Sequence, residues 1–185
     1  MVRTKKPAKL SALAKAAPAM AHYFEHGCVV AVDPSIGSQS SQPAISVMIN
    51  GYLVNVERLN INPNKPYYFR LRDLHSQLQE IVQNPDLLII ENIPPFMMSA
   101  GSSFRTGGVV HLHQSVGAIL SCWDVKDVLE VSPSSWHAWV KRNVGEDKYK
   151  KSDEHDSICL LMTAMEAAKA GKPEIIDTII EELKV

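Results

Sequence analysis

Four acidic residues stand where apolar segments of the sequence end or begin. "CVVAVD" ends on Asp33, "DLLIIEN" carries Glu91 near its end, and Asp153 and Asp156 precede the apolar run "SICLLM". The last two acids are three residues apart, which places them on one face at the start of a helix. Carboxylates gathered at one place repel each other, and hard divalent cations such as Mg²⁺ prefer such oxygen ligands. The pattern therefore predicts a cation site.

The chemistry open to such a site is phosphodiester hydrolysis. Two divalent ions about 3.5 to 4 Å apart can activate water and stabilise the leaving oxygen. Taken singly, each acid has a simpler explanation, since Asp153 could cap a helix and Asp33 and Glu91 could belong to turns. All four in the order strand, strand, helix favour a catalytic set. His155 is interpreted either as a proton carrier beside the ions or as a solvated helix residue, the more common case.

The elements that position these acids form an alternating pattern. Three apolar strands are predicted at 28–33, 44–49 and 52–58, with Asn50-Gly51 as a type I′ hairpin signal between the last two. Next come a helix over 70–83, a strand at 86–92, a helix over 107–123, a strand at 125–133 and a capped helical turn with two tryptophans. Two helices over 153–170 and 172–183 end the chain. An antiparallel meander followed by strands and helices in alternation predicts an α/β domain with a mixed sheet.

Length and composition indicate one domain. The chain has 185 residues, of which 45% are hydrophobic, enough for a single core. We predict a basic N-terminal arm over 1–25, flexible or helical, and one domain over 26–185. No window holds the ~20 apolar residues that a membrane span needs, and no secretory signal is evident, so a cytoplasmic, intracellular protein without membrane contact is expected. The three cysteines lack metal-type spacing and are expected to be reduced, buried thiols.

Basic residues are concentrated in two segments, although the formal net charge is only −1. Residues 1–20 contain five lysines and arginines and no acid. Residues 141–151 contain Lys141, Arg142, Lys148, Lys150 and Lys151 against two acids. Such clusters suit a polyphosphate partner, because each neutralised phosphate releases counterions, although a charge run is more often only a solvated surface.

Taken together, residues 28–165 resemble the RuvC-type Holliday junction resolvases of the RNase H-like superfamily. The segments that carry the resemblance are "VVAVDPSIG", "LLIIEN", "HLHQSVGAIL", "VLEVSPSSWHAWVKRNVG" and "DEHDSICLL". No single segment is diagnostic, and the resemblance rests on their order and approximate spacing. It implies an RNase H-like mixed sheet, in which an antiparallel three-strand meander is followed by parallel strands, flanked by helices.

The resemblance also implies roles for individual residues. Asp33, Glu91, Asp153 and Asp156 would be the metal-binding catalytic set, holding two Mg²⁺ ions for which Mn²⁺ can substitute. Lys141 would be a catalytic, DNA-binding lysine, and Arg142 belongs to the same basic segment. One of Lys148, Lys150 or Lys151 would be a second lysine near the scissile phosphate, and the sequence leaves open which.

The implied activity is a metal-dependent, structure-selective endodeoxyribonuclease that resolves four-way DNA junctions in recombination and repair by paired phosphodiester hydrolysis. Because a junction has near two-fold symmetry, a homodimer is expected, with helix 109–123 in its interface. Two alternatives remain open. One is an RNase H-like nuclease that acts on flaps, forks or RNA:DNA hybrids, and the other is a non-catalytic module that binds branched DNA.

The segment "IPPFMMSAGSSFRTGG", residues 93–108, follows Glu91 and suits an exposed loop. Phe104 is predicted to insert at an unstacked base step, with Arg105 on phosphate. Phe96 and the two methionines either assist there or close the core or a dimer contact. Trp123, Trp136 and Trp139 are expected to be packing residues.

Overall fold

The computed structural model describes residues 12–35, 41–93 and 108–184. Its strands are β1 (Cys28–Asp33), β2 (Ala44–Ile49), β3 (Tyr52–Arg58), β4 (Leu87–Glu91) and β5 (Asp127–Val131). Its α-helices are α1 (Ala12–Ala16), α2 (Ala21–His26), α3 (Tyr67–Ile81), α4 (Gly108–Leu120), α5 (Pro133–Asn143), α6 (Asp153–Ala168) and α7 (Pro173–Glu182), and a 3₁₀ turn over Ala17–Met20 joins α1 to α2.

The five strands form one mixed sheet in the order β3-β2-β1-β4-β5. β1 pairs with β2, and β2 with β3, in antiparallel fashion, whereas β4 is parallel to both β1 and β5. The turn between β2 and β3 has positive φ angles at Asn50 (51°) and Gly51 (85°), as a type I′ hairpin requires. The predicted α/β fold with a mixed sheet, in which an antiparallel three-strand meander is followed by parallel strands, is confirmed.

Each face of the sheet carries its own apolar core, because successive residues of a strand point to opposite sides. Val29 and Ala31 of β1 face the first core, together with the buried residues of α6. Val30 and Val32 face the second core, where Leu74 and Leu78 of α3 and Ile119 of α4 cover the sheet. β1 lies between β2 and β4 and is covered on both faces, which explains its uninterrupted apolar sequence.

The residues before β1 are packed onto the domain from position 12 onwards. Leu13, Ala17 and Phe24 are buried in the core that contains α6. Residues 12–25 of the predicted arm are helical, and these three side chains are part of the core. Residues 1–11, which carry most of the basic charge of the arm, lie outside the described residues.

Two further predictions concern the state of the cysteines and the presence of membrane-spanning helices. The three cysteines are free thiols, and burial raises the pKa of Cys122 and Cys159 to about 12, as suits unreactive core residues. Cys28, by contrast, is only partly buried. Among the described residues, no helix has the length and apolar character that crossing a membrane requires.

Candidate active site

The carboxyl ends of β1, β3 and β4 lie at one edge of the sheet. Asp33, the last residue of β1, pairs with Ala44, which in turn pairs with Arg58 at the end of β3. β4 runs parallel to β1, so Glu91 at its end lies at the same edge. The N-terminus of α6 also reaches this edge, because the backbone N–H of Gln42 donates to Asp153 Oδ2 at 3.1 Å.

The four predicted acids influence one another at this edge. Burial raises the pKa of Asp33 well above its usual range, and the charges of Glu91, Asp156 and Asp153 raise it further. Burial also raises the pKa of Glu91 and of Asp156; the charge of Asp156 adds to the rise at Glu91, and that of Asp153 to the rise at Asp156. The fold therefore assembles a partly buried group of carboxylates that repel one another.

Three of these carboxylates are held by specific hydrogen-bond donors. Trp136 Nε1 donates to Glu91 Oε1 at 2.8 Å, and this bond opposes the rise in the pKa of Glu91. The hydroxyl of Tyr149 donates to Asp156 Oδ1 at 2.6 Å and acts in the same way on Asp156. Arg58 Nε donates to Asp153 Oδ2 at 2.8 Å. These donors fix the orientation of the acids.

Sequence reasoning missed most of these contacts. Trp136 was expected to be only a packing residue, and it does pack in the core, but its indole N–H also binds Glu91. Tyr149 and Arg58 were not singled out at all. The only signal for Arg58 is its position as the last residue of a strand that ends level with Asp33.

The donor set fits a hard divalent cation in composition, because it consists of carboxylate oxygens. The geometry is less complete: within residues 12–35, 41–93 and 108–184, no three His, Cys, Asp or Glu side chains are grouped so that they could hold a metal ion. Instead, Glu91, Asp153 and Asp156 turn towards the donors Trp136, Arg58 and Tyr149. A bound cation would compete with these donors for the same oxygens.

Basic side chains lie next to the acids. Lys151 lowers the pKa of both Asp33 and Asp156, so its charge reaches the carboxylates. Lys151 and Lys141 also line a common cleft of about 420 Å³, together with Trp136 and Tyr149. Lys141 is exposed, and its Nζ lies 3.9 Å from Glu146 Oε2. Of the three lysines that the sequence left open, Lys151 is the one whose charge acts on the acids, and it lines a second cleft together with Asp153 and Asp156.

The other predicted basic residues of this segment lie between Lys141 and Lys151 in the sequence. Lys148 and Lys150 are exposed, and the backbone N–H of Lys150 donates to the carbonyl of Leu183. Arg142 forms an ion pair with Glu166 of α6. Phe104 and Arg105 lie outside the described residues, so their predicted contacts with DNA remain predictions.

Two histidines lie near the acids in different roles. His155 Nδ1 donates to the carbonyl of Lys150 at 2.6 Å, so this histidine braces the segment that leads into α6. Its predicted role as a proton carrier stays a prediction. His137, which sequence reasoning did not identify, stacks on Trp136 with a centroid separation of 3.8 Å, and its charge lowers the pKa of Glu91 and Asp156.

Comparisons with known proteins find only distant similarities to solved structures. The sequence matches no protein-family model and no curated protein. Among solved structures, Thermus thermophilus RuvC in complex with Holliday junction substrate has a TM-score of 0.45 and 14% identity over 85% of this chain and 91% of that chain. A second Thermus thermophilus RuvC structure gives 0.42 and 15% over 84% and 90%.

A third structure, a mutant gp2c of the large terminase subunit from bacteriophage Sf6 with calcium, has a TM-score of 0.33 and 11% identity over 95% of this chain and 80% of that chain. At scores below 0.5, these similarities carry no argument about function. The argument for function therefore rests on the residues of the site.

Proposed function

We propose that this protein is a divalent-metal-dependent nuclease that hydrolyses phosphodiester bonds in DNA. The observation that carries the proposal is the meeting of Asp33, Glu91, Asp153 and Asp156 at one sheet edge, where their charges raise the pKa of Asp33. Such an arrangement destabilises the folded chain unless cations or a polar network compensate it. Burial keeps the pKa values of Asp33, Glu91 and Asp156 raised despite the hydrogen-bond donors at the site, so the polar network compensates the acids only in part, which favours a cation-binding function.

When bound, two divalent cations, Mg²⁺ or Mn²⁺, would supply activation of water and stabilisation of the leaving oxygen. The residues of this chain hold and orient the acids: Trp136 binds Glu91, and Tyr149 binds Asp156. Lys151 and Lys141, along the neighbouring cleft, neutralise the phosphates of the backbone on either side of the reacting group. Because these side chains are already oriented, less rearrangement of the protein is needed to reach the transition state.

Four-way junctions are the proposed substrate. Support comes from the resemblance of residues 28–165 to the RuvC-type resolvases, in which the order and approximate spacing of five segments agree. Paired cutting requires two symmetric sites, and α4 carries two exposed apolar side chains that a dimer would cover, Val110 (55% exposed) and Leu120 (42% exposed). We therefore propose a homodimer that uses α4 as part of its interface.

One panel of substrates tests the proposal. The protein is incubated in Mg²⁺ and, separately, in EDTA with a four-way junction, a linear duplex, a flap, a fork and an RNA:DNA hybrid. We expect Mg²⁺-dependent cutting that is fastest on the junction, absent for Asp33→Asn and unchanged for the control Asp124→Asn, which alters an exposed aspartate away from the site.

Each other outcome has a defined reading. Faster cutting of flaps, forks or hybrids would leave a nuclease and overturn the junction as substrate. Junction binding without cutting of any substrate would overturn the nuclease and favour a binding module. Cutting by Asp33→Asn at the normal rate would show that the acid edge is not the active site.

A further inference from the structure

The first turn of α3 presents two aromatic rings to solvent side by side. Tyr68 is 78% exposed and Phe69 is 47% exposed. Single exposed apolar residues are common, but two consecutive large exposed rings at the start of a helix mark a candidate contact surface. We call the set Tyr67, Tyr68, Phe69, Arg70, Arg72 and His111 the aromatic platform.

The rings of the platform are held in place by a partly buried anchor. The Tyr67 hydroxyl donates to the backbone carbonyl of His111 in α4, and its ring stacks on the imidazole of His111 at 4.0 Å between centroids. Tyr68 meets Tyr67 edge to face at 6.4 Å. The exposed rings therefore project from a turn that is anchored to α4 through Tyr67.

Positive charge accompanies the rings. The Arg70 guanidinium lies 5.1 Å from the centre of the Tyr67 ring, and that of Arg72 lies 4.9 Å from the centre of the Phe69 ring. Asp73, the acid on the same turn, is paired with Lys65 at 2.6 Å, so its charge is compensated. Flat apolar surfaces with guanidinium groups beside them suit a polyanion that carries planar rings.

The platform lies at the same end of the sheet as the acids. Tyr67 and Arg70 line a small cavity with Ser35, which follows Asp33 by two residues, and with Ser115 of α4. The chain that leaves β1 thus passes directly from the acid edge to the base of the platform. The acids and the first turn of α3 therefore lie at the same end of the sheet, where one strand of nucleic acid could contact both.

We infer that the aromatic platform binds single-stranded nucleic acid by stacking unpaired bases on Tyr68 and Phe69 while Arg70 and Arg72 contact phosphate. The inference rests on the proposed function in one respect, the choice of nucleic acid as the class of partner. Base stacking on aromatic side chains tolerates any sequence, so little base preference is expected. The platform would hold an unpaired strand next to the acids.

Fluorescence anisotropy in EDTA, which prevents cutting, tests the inference on the full chain. The probe is a labelled oligothymidylate, and an unlabelled duplex of equal length and heparin serve as competitors. We expect Tyr68→Ala and Phe69→Ala to weaken binding of the oligonucleotide about tenfold each, and Tyr68→Trp to keep it. The matched control is Tyr52→Ala, which removes a 53% exposed tyrosine from the opposite end of β3.

The salt dependence separates stacking from charge. Tyr68→Ala should leave the slope of log affinity against log salt unchanged, whereas Arg72→Ala should reduce it by about 0.7. Equal affinities of Tyr68→Ala and the native protein, or an equal loss for Tyr52→Ala, would overturn the inference. A change of oligomeric state in Tyr68→Ala by sedimentation velocity would also overturn it, in favour of a protein contact.

The inference and the proposed function can fail separately. A protein that cuts DNA at the acid edge but binds oligothymidylate equally well after Tyr68→Ala contradicts only the platform. A protein that cuts no substrate but loses oligothymidylate binding in that variant contradicts only the nuclease. Because the Tyr68 side chain is largely exposed, the single variant is expected to fold, and circular dichroism verifies this.

Discussion

Arg58 Nε donates to Asp153 Oδ2 at 2.8 Å and so ties the end of β3 to the start of α6. The same oxygen accepts the backbone N–H of Gln42 at 3.1 Å. The Asp153 side chain is only 16% exposed, so these two donors take a large share of its hydrogen-bonding capacity. A cation that binds Asp153 Oδ2 would therefore have to compete with Arg58.

Replacing this arginine should therefore strengthen metal binding. We expect Arg58→Gln to bind Mn²⁺ about fivefold more tightly, because the change removes a competing ion pair worth about 1 kcal/mol and a nearby positive charge. Isothermal titration calorimetry measures the affinity. The control is Arg142→Gln, which breaks the ion pair with Glu166 and changes the net charge equally. An equal gain in both variants would show that only overall charge matters.

Glu91→Gln and Asp156→Asn should abolish cutting while keeping or improving DNA binding. Removing either negative charge eliminates a proposed cation ligand and also lessens the repulsion of phosphate. Single-turnover cutting in Mg²⁺ and anisotropy in EDTA measure the two effects. A variant that loses cutting and binding in parallel would indicate misfolding of the edge, which thermal unfolding would reveal.

The stability of the metal-free protein should fall as pH rises through the region above pH 4. The folded chain keeps a proton on Asp33 at pH values where the unfolded chain, with a pKa near the usual 3.8, has released it. The unfolded state then binds fewer protons, so the free energy of unfolding decreases with rising pH. Asp33→Asn should lessen this decrease and raise the Tm at pH 7.

Differential scanning calorimetry in EDTA between pH 4 and pH 7 measures this difference. Asp124→Asn, at an exposed position, should follow the native protein throughout. Adding Mg²⁺ at pH 7 should raise the Tm of the native protein more than that of Asp33→Asn. A constant difference in Tm between the native protein and Asp33→Asn across the range would contradict the assignment of Asp33.

Lys141 and Lys151 should act on phosphate. The double variant Lys141→Ala, Lys151→Ala should reduce the salt slope of duplex binding by about two, because about 0.9 is lost for each phosphate contact. Lys126→Ala is the matched control, since Lys126 is 67% exposed and pairs with Asp86 beside the start of β4. An unchanged slope in the double variant would place the DNA on another surface.

Two deletions should separate charge from packing at the N-terminus. Removing residues 2–11 takes away four basic residues and should weaken DNA binding without changing the Tm. Removing residues 2–20 also takes away the buried Leu13 and Ala17 and should cost more than about 2 kcal/mol of stability. Urea unfolding measures the stability. Equal stability of the two truncated proteins would contradict the packing of α1 onto the core.

The sheet was predictable because its signals are local. β1, β2 and β3 begin and end at the predicted residues, since apolar runs and the Asn50-Gly51 turn determine them together. α3 begins at Tyr67, three residues before the predicted start, because Tyr68 and Phe69 are exposed and do not follow the apolar period. The segment before β1 places three side chains in the core, Leu13, Ala17 and Phe24. Their helical spacing is hard to recognise in the sequence because alanines and lysines surround them.

The meeting of the four acids at one end of the sheet could be predicted from the sequence, whereas their hydrogen-bond partners could not. Asp33 and Glu91 each end an apolar segment, and that pattern is visible in the sequence. The contacts of Arg58 with Asp153 and of Tyr149 with Asp156 depend on which side chains meet across distant elements. The hydrophobic periodicity of a sequence does not indicate such long-range contacts, so they can be identified only in the folded structure.

The acids come from elements far apart in the chain, and this separation orders events during synthesis. A ribosome-bound chain that has exposed β1 and β4 but not α6 possesses Asp33 and Glu91 and lacks Asp153 and Asp156. It also lacks the apolar side of α6, against which β1 and β2 pack. The complete set of acids therefore forms only after α6 has been synthesised and has packed against β1 and β2.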